Sequence, residues 1–127
     1  MIDLVIVIAI IALLASVAIP SYTSQMQETR RAEGQAKLLE VMHQQAKHFR
    51  ENSTYVTDLR ELGYPAATEK SANEFYMVTA EPCETGISKC VKLTANASLE
   101  QQVDGSLTLD SVGRKERVLS NGSVKDW

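Results

Sequence analysis

Two cysteines, Cys83 and Cys90, are the side chains best suited to covalent chemistry in this chain of 127 residues. The six residues between them fit a disulfide that closes a hairpin loop, a bond that requires an oxidising compartment. A metal pair is the less favoured alternative, because the cysteine spacing matches no common zinc motif. His43 and His48 are five residues apart on a predicted helix and do not share a face.

The acidic residues of the C-terminal half could be considered as calcium ligands: Asp104, Asp110, Glu116 and Asp126. Their spacing does not give the dense run of oxygen ligands that a calcium loop needs, so we predict that they are solvated surface acids. The chain also lacks a nucleophile elbow, a glycine-rich phosphate loop and a useful Ser-His-Asp arrangement. We therefore expect neither a catalytic site nor a bound metal or cofactor.

A group of basic residues could contact a nucleic-acid backbone: Arg114, Lys115 and Arg117, with Lys89 and Lys92 on a neighbouring strand. Trp127 could add a ring on which a base stacks. Because the formal net charge is -3, any contact with DNA must be local rather than driven by the charge of the whole protein. The alternative, which we favour, is that these cations protect the edge of a sheet.

The element that precedes these groups is the apolar segment MIDLVIVIAIIALLASVAIP, residues 1–20. All but one of the residues from Leu4 to Ile19 are apolar, and no basic region precedes them as a removable signal peptide would require. A helix of about nineteen residues is about 28 Å long, close to the roughly 30 Å hydrocarbon core of a bilayer. We predict a transmembrane helix with Asp3 at its start and a kink at Pro20.

A second, amphipathic helix follows the first and ends near residues 52–54. Gly34 lies inside it and should cost about 1 kcal/mol relative to alanine. The apolar stripe that we expect to face the core recurs at spacings of three and four: Ala32, Ala36, Leu39, Met42, Ala46 and Phe49.

Alternating apolar residues then predict three strands, within residues 75–81, 90–98 and 106–111, and residues 117–120 could add a fourth. Asp-Gly and Asn-Gly pairs at 104–105 and 121–122 are typical of hairpin turns. A short helix is predicted over 57–64, with Thr57 as its N-cap and Gly63 at its end.

Together these elements predict an α+β roll, in which a sheet of three or four antiparallel strands covers the long helix. The globular head comprises residues 21–127, including the C-terminal half of that helix.

Three stretches resemble the N-terminal half of a type IV pilin, and most closely the minor pilins of PilE type: IDL, VIVIAIIALLASVAIPSY and RRAEGQAKLLEVMHQQAKHF. Within the family's pattern, five residues occupy matching places: Ile2, Asp3, Leu4, Pro20 and Tyr22. Asp3 stands where the family usually has glutamate.

The resemblance implies a structural subunit of a type IV pilus that is processed by a prepilin peptidase, methylated, and held in the bacterial inner membrane. The assembly platform would then draw it into an extracellular filament with major and minor pilins, of the kind that serves adhesion and twitching motility. Asp3 would pair with the N-terminal amine of a neighbouring subunit. The alternative is that Asp3 is a solvated acid at the level of the lipid headgroups. Pro20 would bend the helix. The alternative functions are a DNA-binding competence pilin and a type II secretion pseudopilin.

Overall fold

One long helix supports the whole fold. The computed structural model describes the backbone of residues 1–127 and the side chains of all but residues 16–21 and 23–24. Helix α1 spans Ile2–Asn52. It ends where Ser53 adopts a left-handed conformation with φ 61°, and the Ser53 N–H donates to the carbonyl of Phe49 at 2.8 Å. The helix therefore stops where the sequence predicts.

The N-terminal part of α1 extends away from the head. Every side chain of residues 1–15 is exposed, including those of Leu4 and Ile8. The predicted kink at Pro20 lies outside the residues whose side chains are described. In the part of the chain that the structure describes, no helix combines the length and the hydropathy needed to cross a membrane.

The face of α1 that packs on the sheet differs from the predicted stripe. Ala32, Ala36, Leu39 and Ala46 are exposed, and Met42 and Phe49 are only half-buried. The residues that are buried instead are Gly34, Leu38, Val41 and Gln45. These four also follow a spacing of three and four, but a glycine and a glutamine at its two ends hide the pattern from a search for apolar residues.

Each end of this buried face is explained by a specific contact. A β-carbon on Gly34 would lie 2.8 Å from Cδ2 of Tyr76, so only glycine lets the helix approach that ring without a shift. The Gln45 side chain donates to the carbonyl of Val56 at 2.7 Å and accepts from its N–H at 3.0 Å. Both groups of a buried amide are thus satisfied by the chain that leaves the helix.

Within the described residues, six strands form one antiparallel sheet in which each strand pairs with the next along the chain. They are β1 Glu69–Lys70, β2 Tyr76–Pro82, β3 Val91–Ala97, β4 Ser106–Asp110, β5 Lys115–Val118 and β6 Val124–Lys125. Leu93 lies opposite Leu109, and Ala95 lies opposite Leu107. The α+β class is confirmed, and β2, β3 and β4 match the three predicted strands.

The strand count is a correction, because the prediction gave three or four strands. The additional strands β1 and β6 have two residues each, too few for an alternating pattern to appear in the sequence. Strand β5 begins at Lys115, two residues before the predicted fourth strand. Its charged sequence, KERV, forms a strand because it pairs with β4 and β6.

A 3₁₀ helix, Leu59–Leu62, stands where the short helix was predicted. Its N-cap is Asp58 rather than Thr57, and the Asp58 carboxylate accepts from the Arg60 N–H at 3.0 Å. Gly63 ends the helix with φ 101°, as expected. Leu59 is fully buried and joins the apolar core between α1 and the sheet.

Candidate functional site

The structure separates the three basic residues that the sequence groups together. Arg114 lies in the turn between β4 and β5, whereas Lys115 and Arg117 lie on β5 opposite Leu109 and Leu107. Those leucines belong to the core, so Lys115 and Arg117 are on the helix side of the sheet. Of the three, only Arg114 could contribute to a surface on the other side of the sheet.

Arg117 is held in a buried ion-pair network. Its Nη1 lies 2.9 Å from Oδ1 of Asp104, while Nε of Arg31 on α1 lies 2.8 Å from Oδ2 of the same carboxylate. Gln101 donates to that carboxylate at 3.3 Å and to the carbonyl of Gln27 at 2.9 Å. The network joins α1, the loop between β3 and β4, and β5.

This network corrects the prediction that Asp104 is a solvated surface acid. The Asp104 side chain is 8% exposed, and its two arginine partners are 18% and 15% exposed. The burial of Asp104 could not be predicted from the sequence, because Arg31 lies far from Asp104 and Arg117 along the chain. The buried phenol of Tyr76 lies near these charges, and burial raises the pKa of Tyr76 to about 12.

Trp127 is placed against the sheet rather than offered to a ligand. Its indole Nε1 donates to the carbonyl of Thr108 at 3.0 Å, and the ring packs against the apolar core. Nζ of Lys115 lies 5.1 Å from the ring centroid, within the range of a cation–π contact. Lys115 and Trp127 therefore form a contact with each other at the helix side of β5.

Arg114 joins Lys89 and Lys92 on the opposite surface. Lys92 lies on the neighbouring strand β3, as predicted, whereas Lys89 lies in the loop between β2 and β3. The three cations line a depression of about 700 Å³ beside the disulfide, which we call the cationic depression. Lys89 and Lys92 are exposed. Nε of Arg114 lies 3.9 Å from a carboxylate oxygen of Glu116, and the Arg114 side chain is 76% exposed, so this ion pair is weak.

Acidic residues also line the cationic depression: Glu81, Glu84 and Asp110. The three cations are therefore balanced by three acids, and the surface has no strong uniform field. A ligand with separated negative charges fits this arrangement better than one compact anion, because acids lie among the cations: Lys92 is opposite Glu81 on β2 and opposite Asp110 on β4. A nucleic-acid backbone is such a ligand, because it carries one negative charge on each successive phosphate.

The Cys83–Cys90 disulfide forms one wall of the cationic depression, with an S–S distance of 2.04 Å. It joins the end of β2 to the start of β3, and the prediction of a disulfide-closed hairpin is confirmed. The Cys83 N–H donates to the carbonyl of Cys90 at 3.3 Å, and the Lys89 N–H donates to the carbonyl of Gly86 at 3.1 Å. These bonds fix the backbone from which Lys89 projects.

Asp3 lies in the first turn of α1, and its neighbours Ile2 and Leu4 are exposed. The structure of the single chain provides no cover for this end of the helix. Pro20, the second predicted assembly residue, is among those whose side chains are not described. Among the described side chains, no group of three or more His, Cys, Asp or Glu residues could hold a metal ion.

A comparison of the sequence with models of known protein families finds a match. A family model described as "Type IV minor pilin ComP, DNA uptake sequence receptor" matches residues 20–108. The match covers most of the chain, from α1 through Thr108 in β4, and includes the disulfide loop. No curated protein matches the chain.

Proposed function

The chain belongs to this family of type IV minor pilins, and on that premise we propose that its head binds double-stranded DNA. The proposal assigns DNA contact to the cationic depression of Lys89, Lys92 and Arg114. The observation that carries it is that the disulfide loop, strand β3 and the β4–β5 turn bring three exposed cations to one concave surface. The family description, which names a DNA uptake sequence receptor, supports the same ligand.

The acids of the cationic depression limit the expected strength of binding. Each phosphate neutralised by a lysine or an arginine releases counterions, and this term dominates affinity for DNA. With three cations and a formal net charge of -3, we expect few phosphate contacts and a moderate affinity. Such a receptor contacts DNA at the cationic depression and does not bind nucleic acid over the rest of its surface.

The N-terminal half of α1 serves assembly in this proposal. Its exposed apolar side chains need an apolar environment, first the inner membrane and then the helices of other pilin subunits. Asp3 is the proposed assembly residue, pairing with the N-terminal amine of the next subunit in the filament. The minor pilin would thus hold a DNA-binding head on the surface of the pilus.

The proposal can be tested in cells with two matched double variants. Lys89→Ala with Lys92→Ala removes two cations from the cationic depression, whereas Lys47→Ala with Arg50→Ala removes two exposed cations from α1. We expect the first variant to lower DNA uptake roughly tenfold, since each exposed charge contact contributes about 1 kcal/mol at most. The control should retain uptake, and both variants should enter pili normally.

Deletion of the gene separates the receptor from a purely structural subunit. A receptor predicts normal pili and twitching motility with loss of DNA uptake. Loss of the filaments themselves would favour the structural function, and equal uptake by both double variants would contradict DNA contact at the cationic depression.

A further inference from the structure

The turn between β4 and β5 presents two side chains that the phosphate contacts do not require. Val112 is 82% exposed and Arg114 is 76% exposed, with Gly113 between them. Gly113 has φ 100°, and a β-carbon built on it would meet no atom within 4 Å. The turn therefore ends in a narrow, uncovered tip that carries one apolar and one cationic side chain.

The turn is rigid because its own backbone and one carboxylate close it. Oδ1 of Asp110 accepts from the N–H groups of Val112 at 3.1 Å and Arg114 at 2.9 Å. The Gly113 N–H donates to the carbonyl of Asp110 at 3.0 Å. A tip that is already ordered loses little conformational entropy when it binds.

A further pair of bonds fixes the turn to the neighbouring strand. The Ser111 N–H donates to the carbonyl of Val91 at 2.9 Å, and the Ser111 hydroxyl accepts from the Val91 N–H at 3.2 Å. Val91 directly precedes Lys92, so the tip and this lysine of the cationic depression keep a fixed relation. A phosphate contact at Lys92 would set the position of the tip relative to the duplex.

We propose that this turn, residues 110–115, enters the major groove of DNA and reads base edges through Arg114 and Val112. The inference rests on the proposed DNA-binding function. An arginine fork matches the two acceptors of guanine, and an apolar side chain can contact the methyl group of thymine. Lys89 and Lys92 contact phosphates and position the protein without reading sequence.

The test uses the full chain in a nonionic detergent and a pool of short duplexes with a randomised core. Binding to the unselected pool tests the proposed function, and enrichment of particular sequences tests base reading. The measured quantity is the ratio of affinities for an enriched duplex and for the unselected pool. We expect Arg114→Lys to lower this ratio roughly tenfold, because it keeps the charge and removes the fork.

A second variant and two controls complete the experiment. Val112→Ser should lower the ratio at positions where thymine is enriched. Lys92→Ala should weaken binding to all sequences and keep the ratio, and Lys47→Ala should change neither. Binding without enrichment, or a ratio unaffected by both Arg114→Lys and Val112→Ser, would overturn base reading by the turn. Absence of binding to the unselected pool would overturn the DNA-binding function itself.

Discussion

The substitution Asp104→Asn tests the buried network that joins the helix to the sheet. The asparagine keeps the size of the side chain but removes the charge that pairs with Arg31 and Arg117. One carboxylate oxygen becomes an amide NH₂, a donor, so one of the two guanidinium groups then faces a donor at a distance of about 3 Å. Both arginines stay in place as largely buried cations without a counter-ion.

The cost can be estimated from the burial of the three groups. Removing one partner of a buried ion pair costs about 3 to 5 kcal/mol. Because Arg31 is 18% and Arg117 15% exposed, some water still reaches both, and we expect the lower limit. A loss of about 3 kcal/mol lowers the folding equilibrium constant roughly 150-fold.

Urea unfolding followed by the fluorescence of Trp127 measures this loss. Trp127 is the single tryptophan of the chain, and its indole is bonded to Thr108 in the sheet, so unfolding changes its surroundings. The full chain in a nonionic detergent is suitable. Glu74→Gln is the control, because the Lys70–Glu74 pair is exposed with a distance of 3.8 Å and should contribute less than about 1 kcal/mol.

Equal stabilities of the two variants would refute the reasoning that Asp104 holds a buried ion-pair network. The triple variant Arg31→Met, Asp104→Leu and Arg117→Met provides a second check. Replacing every charge by an apolar side chain leaves no unpaired ion, so it should be more stable than Asp104→Asn.

Three further predictions concern the other parts of the chain. Asp3→Asn should leave the amount of protein in the membrane unchanged and lower its incorporation into pili, measured as the ratio of sheared to cell-bound protein; an unchanged ratio would favour a solvated acid. Gly34→Ala should destabilise the head by about 1 kcal/mol in urea, since overpacking against Tyr76 outweighs the gain in helix propensity; a gain in stability would contradict the close contact. Because the pKa of Tyr76 is raised to about 12 from 10, its contribution to stability is complete below pH 10 and is lost as the pH rises from 10 to 12. Tyr76→Phe should therefore lose less stability over that pH range, and identical pH profiles would contradict the burial of an unionised phenol.

The central sheet could be predicted because its strands carry the information locally. Residues such as Leu93 and Ala95 alternate with polar neighbours, and one face of each strand is buried. The disulfide could also be predicted, since Cys83 and Cys90 are near in sequence and close one hairpin. The edge strands β1 and β6 depend on pairing with a neighbouring strand and have no pattern of their own.

The predictions of the buried helix face and of a solvated Asp104 were wrong for a common reason. Gly34 and Gln45 are buried because of what they meet across the fold, a Tyr76 ring and a Val56 backbone, and neither is apolar. Asp104 is buried because arginines from two distant elements converge on it. Such long-range partners cannot be identified from periodicity, which describes only one element at a time.

The salt dependence of DNA affinity is the most direct test of the proposal that the cationic depression binds DNA. For the two phosphate contacts of Lys89 and Lys92, the logarithm of the association constant should fall against the logarithm of the salt concentration with a slope of about -1.8. Fluorescence anisotropy of a labelled duplex with the full chain in detergent gives this slope. We predict a slope near zero for the variant with Lys89→Ala and Lys92→Ala, because it retains neither phosphate contact. An unchanged slope in that variant, or no binding by the original chain at low salt, would contradict the account.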